Sequence, residues 1–240
     1  MIKKFSKKDV KNRHFDNKKG FQEEPNKKWI YFFDLDGTLF KSNCSFSFGK
    51  FLFRKNHLSF LAVFKLSIFF LGHRMGLCSM RTLHEKCFKA IFLNKHKPVY
   101  TDLAGDFIKT LKGSMIRSVY SQFQKAKQIG HKAIILSSSP DFLVKAIGDN
   151  LGADFSIGSE YVTSDENHFI KVGQILDGKR KADFISKFCD HYQIPLSQTV
   201  AFSDSSLDLE FLRKANVAKT IFPDKKLKNE ALLKGWTILE

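Results

Sequence analysis

The sequence predicts an α/β fold in which a doubly wound parallel sheet carries a helical region inserted after its first strand. Three observations carry this expectation. Short apolar runs at 29–33, 133–136 and 199–202 each end in acids or serines, as buried parallel strands do where they discharge into loops. Helical patterns separate the later runs, and alternating strands and helices favour a parallel sheet with helices on both faces. Between the first two runs lies a Phe-rich, helix-like stretch, 46–128, with no good strand.

The first strand is Trp29-Ile30-Tyr31-Phe32-Phe33, followed by Asp34-Leu35-Asp36-Gly37-Thr38. Its residues suit a strand covered on both faces, and Gly37 supplies the freedom for a sharp exit turn. Two carboxylates so close repel unless a cation or shared proton compensates, so the pair points to a metal site with one acid free to react. The second strand, Ala133-Ile134-Ile135-Leu136, opens into Ser137-Ser138-Ser139-Pro140-Asp141 and a helix to Leu151. Short strands with a polar turn at 164–167 are expected over 155–172, then a helix over Lys181 to Tyr192. Thr199-Val200-Ala201-Phe202 leads into Ser203-Asp204-Ser205-Ser206-Leu207-Asp208, with a helix starting near Leu207. A strand at 217–222, a helix at 226–233 and a strand at 236–239 complete the chain. Ligands of such sheets bind beyond the carboxyl ends of the strands, so Asp34, Ser137 and Asp204 are expected to meet in one crevice.

Taken in order, Asp34-x-Asp36-Gly37-Thr38, Ser137, Lys181 and Asp204-x-x-x-Asp208 resemble the four motifs of the haloacid dehalogenase superfamily. The runs Leu136 to Leu143, Ala201 to Ser205 and Pro223 to Leu239 are similar to its subfamily IB, which includes phosphoserine phosphatases and bacterial phosphatidylglycerophosphatase-like members. The resemblance covers about Trp29 to Glu240. It implies a Rossmann-like core over 29–45 and 129–240 and a helical cap of the first-position (C1) type over 46–128; residues 1–28, outside it, are basic and poor in apolar residues and are expected to form a disordered tail. It further implies a phosphatase in which Asp34 is the nucleophile and forms an aspartyl phosphate, while Asp36 is the general acid and base. Mg2+ would be held by Asp34, the Asp36 backbone carbonyl and Asp204, with Asp208 in support. Ser137, with Ser138 and Ser139 as rivals, would bind the phosphoryl group. Lys181 would supply the fixed positive charge; the family's Gly-acid-x-Lys run reads Gly178-Lys179-Arg180-Lys181 here, which leaves Lys179 as the alternative.

The chain has 240 residues and 43% hydrophobic content, enough for a core without cross-links. Cys44, Cys78, Cys87 and Cys189 are scattered, without zinc spacing, and are expected to be reduced thiols. The beginning lacks a secretory pattern, so a cytoplasmic location is expected, peripheral to the inner face of the membrane if the cap touches lipid. A formal charge of +16 favours anionic partners without choosing among them. The apolar segment 58–71, interrupted by Lys65, reads either as a buried cap helix or as an interfacial one whose Phe and Leu enter lipid beside Lys55, Lys65 and Arg74. On that ground a lipid phosphate such as phosphatidylglycerophosphate is preferred as substrate. A soluble small-metabolite phosphatase of the phosphoserine type, with Glu85, Arg74 and Arg81 reading the amino acid, is the alternative. A non-catalytic protein binding anionic surfaces or nucleic acid is the third reading, and five histidines (His57, His73, His84, His131, His191) are given surface or packing roles.

Overall fold

The computed structural model describes residues 28–240 except Lys112; the expected tail lies outside the described residues, apart from Lys28. A six-stranded parallel sheet forms the centre. Its strands are β1 (Ile30–Phe33), β2 (Lys132–Pro140), β3 (Phe155–Ser159), β6 (Thr199–Ser203), β7 (Val217–Ile221) and β8 (Thr237–Leu239), in the order β3-β2-β1-β6-β7-β8. β4 (Tyr161–Thr163) and β5 (Phe169–Val172) make a separate antiparallel hairpin. This is the α/β architecture that the alternating pattern anticipated.

β1 sits between β2 and β6, and the side chains of its alternate residues enter two different cores. Tyr31 and Phe33 join the larger core with Phe123 and Phe202, while Ile30 and Phe32 join Ile185, Phe188 and Phe211 on the other face. A strand buried on both faces reads as an uninterrupted apolar run because neither set of side chains meets water.

The helices after β1 are α1 (Cys44–Arg54), α2 (Phe60–Arg74), α3 (Met80–Ile91), α4 (Lys97–Thr110) and α5 (Arg117–Gln128). Asn43, Ser59 and Ser79 start α1, α2 and α3 by accepting bonds from Phe46, Ala62 and Thr82 amides, which satisfies donors that the helix cannot. The helical stretch expected over 46–128 therefore holds, but its last helix belongs to the sheet layer: Phe123 of α5 packs 5.3 Å from Phe33 of β1. The other end of the stretch is tied to the β4–β5 hairpin. The Asn94 amide donates to the Phe169 carbonyl at 2.9 Å, and Phe88, Phe92 and Tyr100 cluster with Phe142, Tyr161 and Phe169.

The remaining helices are α6 (Asp141–Leu151), α7 (Gly178–His191), α8 (Leu209–Lys214) and α9 (Lys225–Lys234). Two boundaries differ from expectation. α7 begins three residues before Lys181 because Asp177 caps it, its side chain accepting the Arg180 amide; Lys181 lies in the first turn and not ahead of the helix. β2 extends through the serines to Pro140, which pairs with Ser159 after a register shift, so the expected polar loop is extended strand.

Candidate active site

Asp34 emerges at the carboxyl end of β1, its amide donating to the Phe202 carbonyl of β6 at 2.9 Å. Its side chain is buried, and the Lys181 ammonium donates to it at 2.6 Å and to Asp208 at 2.8 Å. Ser203 Oγ also donates to Asp208, at 2.8 Å. Thr38 Oγ1 donates to Asp204 at 3.1 Å. Gly37 has φ +80, and a β-carbon there would overlap the Asp204 carboxylate. Only glycine permits both the turn and this approach. Gly178 does similar work without unusual backbone: a β-carbon would collide with the Leu207 carbonyl, so its absence lets α7 bring Lys181 against the loop after β6.

Asp36 is held differently. Oδ1 accepts the Cys44 amide at 2.5 Å, at the start of α1. Oδ2 accepts Ser139 Oγ at 2.7 Å and Ser137 Oγ at 3.3 Å. Ser139 Oγ in turn shares a hydrogen bond with Ser45 of α1 at 2.6 Å. Residues i and i+2 of an extended strand share a face, which is why two of the three serines reach one carboxylate. The Ser138 carbonyl accepts from Ser159 Oγ at 2.6 Å; Ser138 and Ser139 line the cavity in front of the acids, whereas Ser137 is fully buried behind it.

Electrostatics make this a demanding cluster. Burial, opposed by Lys181 and reinforced by Asp208, Asp204 and Asp36, pushes the Asp34 carboxyl well above its ordinary value. Burial likewise raises Asp204 to about 6, despite the Thr38 hydrogen bond. Burial alone would lower the Lys181 ammonium, but Asp208 and Asp34 override it and hold its pKa above normal. One cation thus faces several acids. The donors at hand are carboxylates and a backbone carbonyl, a set suited to a hard divalent cation; Asp34, Asp204 and the Asp36 carbonyl are the groups that could hold one. Among the described residues no three His, Cys, Asp or Glu side chains form a ready-made metal cage, and this set has only two carboxylate side chains.

Of the residues singled out from sequence, Asp34, Lys181 and Asp208 form one hydrogen-bonded group, and Asp36 and Ser137 another. Asp34, Asp36, Lys181, Asp204 and Asp208 all line one cavity of about 1050 Å³. Lys179 is exposed and does not line it. Thr38, Ser203 and Ser45 support the acids or their partners without having been assigned roles, and Ser139, a rival to Ser137 in the sequence, bonds Asp36 at the shorter distance; Thr38 stood inside the quoted motif, whereas nothing near Ser45 marked it.

The cavity continues between α1, α2 and α3, where Phe46, Leu52, Val63, Leu66, Phe70 and Leu83 line it. His73 and His84 line it too. His84 is buried, with Nδ1 3.2 Å from the Tyr161 hydroxyl. Burial, helped by His73 and Arg81, pushes its pKa down to about 4, against a weaker opposing hydrogen bond from the Ser138 backbone. A base with a lowered folded pKa binds fewer protons folded than unfolded, so stability rises with pH between about 4 and the ordinary 6.5. The expected change across this window is about 3 kcal/mol at most. Urea unfolding of wild type and His84→Gln from pH 4 to 7 measures it; the variant should show a shallower slope, and an unchanged slope would refute the assignment.

The profile of the haloacid dehalogenase-like hydrolases matches residues 31–213. The chain belongs to this family. Its curated relatives include the inhibition of morphological differentiation protein of Streptomyces azureus, 25% identical over 229 residues that span 92% of this chain and 82% of that protein. A probable phosphatase of Mycobacterium tuberculosis is 25% identical over 221 residues, 90% of this chain and 76% of the relative. Among solved structures, a substrate-bound phosphoserine phosphatase superposes with a TM-score of 0.66 at 17% identity, covering 89% of this chain and 93% of the other. The expectation of a hydrolase on an α/β core is met.

Proposed function

We propose that this haloacid dehalogenase-type hydrolase is a magnesium-dependent phosphomonoesterase of the subfamily IB kind, acting through an aspartyl phosphate on a lipid phosphate such as phosphatidylglycerophosphate. Asp34 attacks phosphorus, and the ester oxygen leaves with a proton from Asp36; Asp36 then activates the water that releases phosphate. Lys181 stabilises the phosphoryl oxygens and fixes Asp34, while Ser137 and Ser139 offer hydroxyl donors beside Asp36. Bound between Asp34, Asp204 and the Asp36 carbonyl, Mg2+ would offset the negative charge of the phosphoryl group.

The observation that carries the substrate class is the cavity wall. Every acid lining it, Asp34, Asp36, Asp177, Asp204, Asp208 and Asp224, lies outside the helical cap. Glu85 and Arg81 pair with each other at 3.1 Å on the exposed surface and do not line the cavity. An ammonium group entering the cap would therefore meet no carboxylate among the described residues, and mostly apolar side chains, with Lys50, His73 and His84 among them. A phosphate bearing an apolar body fits such walls. A lipid phosphate is met at a membrane, so peripheral contact with anionic lipid belongs to the same reading.

The phosphoserine alternative rests on the fold-level likeness to phosphoserine phosphatases and on a relative of that name, 22% identical, in Mycobacterium tuberculosis. Initial rates with Mg2+ on phosphatidylglycerophosphate, phosphatidic acid, phosphoserine, sugar phosphates and nucleotides decide between them. The lipid phosphates should exceed phosphoserine at least about tenfold in kcat/KM, a margin of about 1.4 kcal/mol. A preference for phosphoserine would overturn the lipid reading.

A further inference from the structure

α2 is apolar on most of its circumference, yet one of its faces has no cover among the described residues. On its inner side Val63, Leu66 and Phe70 line the cavity, and Phe70 stacks on Phe46 of α1 at 5.0 Å. On its outer side Phe60, Leu61, Phe64, Ile68 and Leu71, with Met75 just after the helix, are each 55–73% exposed. At 100° per residue these six positions fall within one arc of about 100°, a continuous stripe along the helix. Leu77 beyond it is 76% exposed. A helix this apolar is normally enclosed by protein or by lipid.

The charges around it identify the cover. Between Asp36 and Glu85 the chain contains seven Lys or Arg residues and no acid. Lys50, Arg54, Lys55 and Lys65 of this segment are exposed, and Lys65 lies at the margin of the stripe. At 15 residues α2 is about 22 Å long, too short to cross a hydrocarbon core of about 30 Å, and among the described residues no helix is long and apolar enough to do so. An apolar face on a segment of sequence rich in cations and free of acids is the pattern of a helix lying in the plane of an anionic interface.

We propose that the outer face of α2 docks on an anionic bilayer, with Phe60, Leu61, Phe64, Ile68, Leu71 and Met75 entering the acyl boundary and the neighbouring lysines on headgroups. The helix then forms a wall one helix thick, with bilayer on one side and the catalytic cavity on the other. Docking of this kind brings the cavity to its substrate at the membrane surface and needs no spanning segment.

The test uses the full chain and vesicles of phosphatidylcholine with 30% phosphatidylglycerol, in flotation at near-physiological salt. These lipids carry no phosphomonoester, so binding is read independently of catalysis and of the substrate assignment above. Wild type should float with these vesicles and much less with pure phosphatidylcholine. The Phe64→Ser, Ile68→Ser double variant should lose at least about tenfold in partitioning, since both side chains would leave the acyl region. Because both positions are exposed, its melting temperature should stay near wild type, which separates lost docking from lost folding. A Phe64→Trp variant should be quenched by brominated lipid. Equal flotation of wild type and the double variant would overturn the proposal, leaving only charge as the source of binding. A stable dimer that buries the stripe and does not float would overturn it in favour of a second copy.

Discussion

Asp34→Asn is expected to abolish Mg2+-dependent hydrolysis of an aryl phosphate, by about four orders of magnitude or more, because an amide cannot form the acyl phosphate. The fold should survive. Asn keeps the shape, and Lys181 retains Asp208 at 2.8 Å as its counter-charge. Removing this buried charge also relieves the burial penalty that chiefly raises Asp34, together with the repulsion from Asp208, Asp204 and Asp36. Rapid acid quench during turnover of labelled substrate should leave a hydroxylamine-sensitive phosphoryl group on the wild type and none on the variant. An active, unlabelled Asp34→Asn enzyme would remove Asp34 from the role of nucleophile.

Lys181→Met is expected to cost both catalysis and folding. The ammonium is almost fully buried between Asp34 and Asp208. Truncating one partner of a buried ion pair leaves its charge without compensation, at about 3–5 kcal/mol. The urea midpoint should fall accordingly. A second substitution, Asp208→Asn, should restore part of the loss, since it removes one of the acids left unpaired; the two changes share a network and should not add. A Lys181→Met protein as stable as wild type would mean that the lysine does not hold these acids together. Lys179→Met, by contrast, should change little, because that side chain is exposed.

The sheet was legible where strands bury both faces. Trp29 to Phe33, Ile134 to Leu136 and Val200 to Phe202 are uninterrupted apolar runs because β1, β2 and β6 are inner strands buried on both faces, and the acids that follow β1 and β6 are too costly to place there without use. Whereas Lys181 came from the resemblance to the family's motifs, the same logic pointed to Asp34 and Asp204. It could not separate the three serines, because that requires knowing that β2 continues through them and so turns Ser137 and Ser139 to one side. Nor could it find Ser45, whose importance comes from a partner 94 residues away. The split of α2 into a cavity face and an outer face was equally invisible: a helix apolar on most sides has no pattern to reveal which side faces protein. The capping role of Asp177 was available in sequence, but the reading began at the lysine and missed the acid four residues before it.

The two hydrogen bonds that join α1 to the acid, from the Cys44 amide to Asp36 and between Ser45 and Ser139, act as an interlock. If α1 swings away to admit a substrate, Asp36 loses its fixed bearing in the same movement. On the proposed mechanism, with Asp36 as the acid, proton donation would then be coupled to the position of α1.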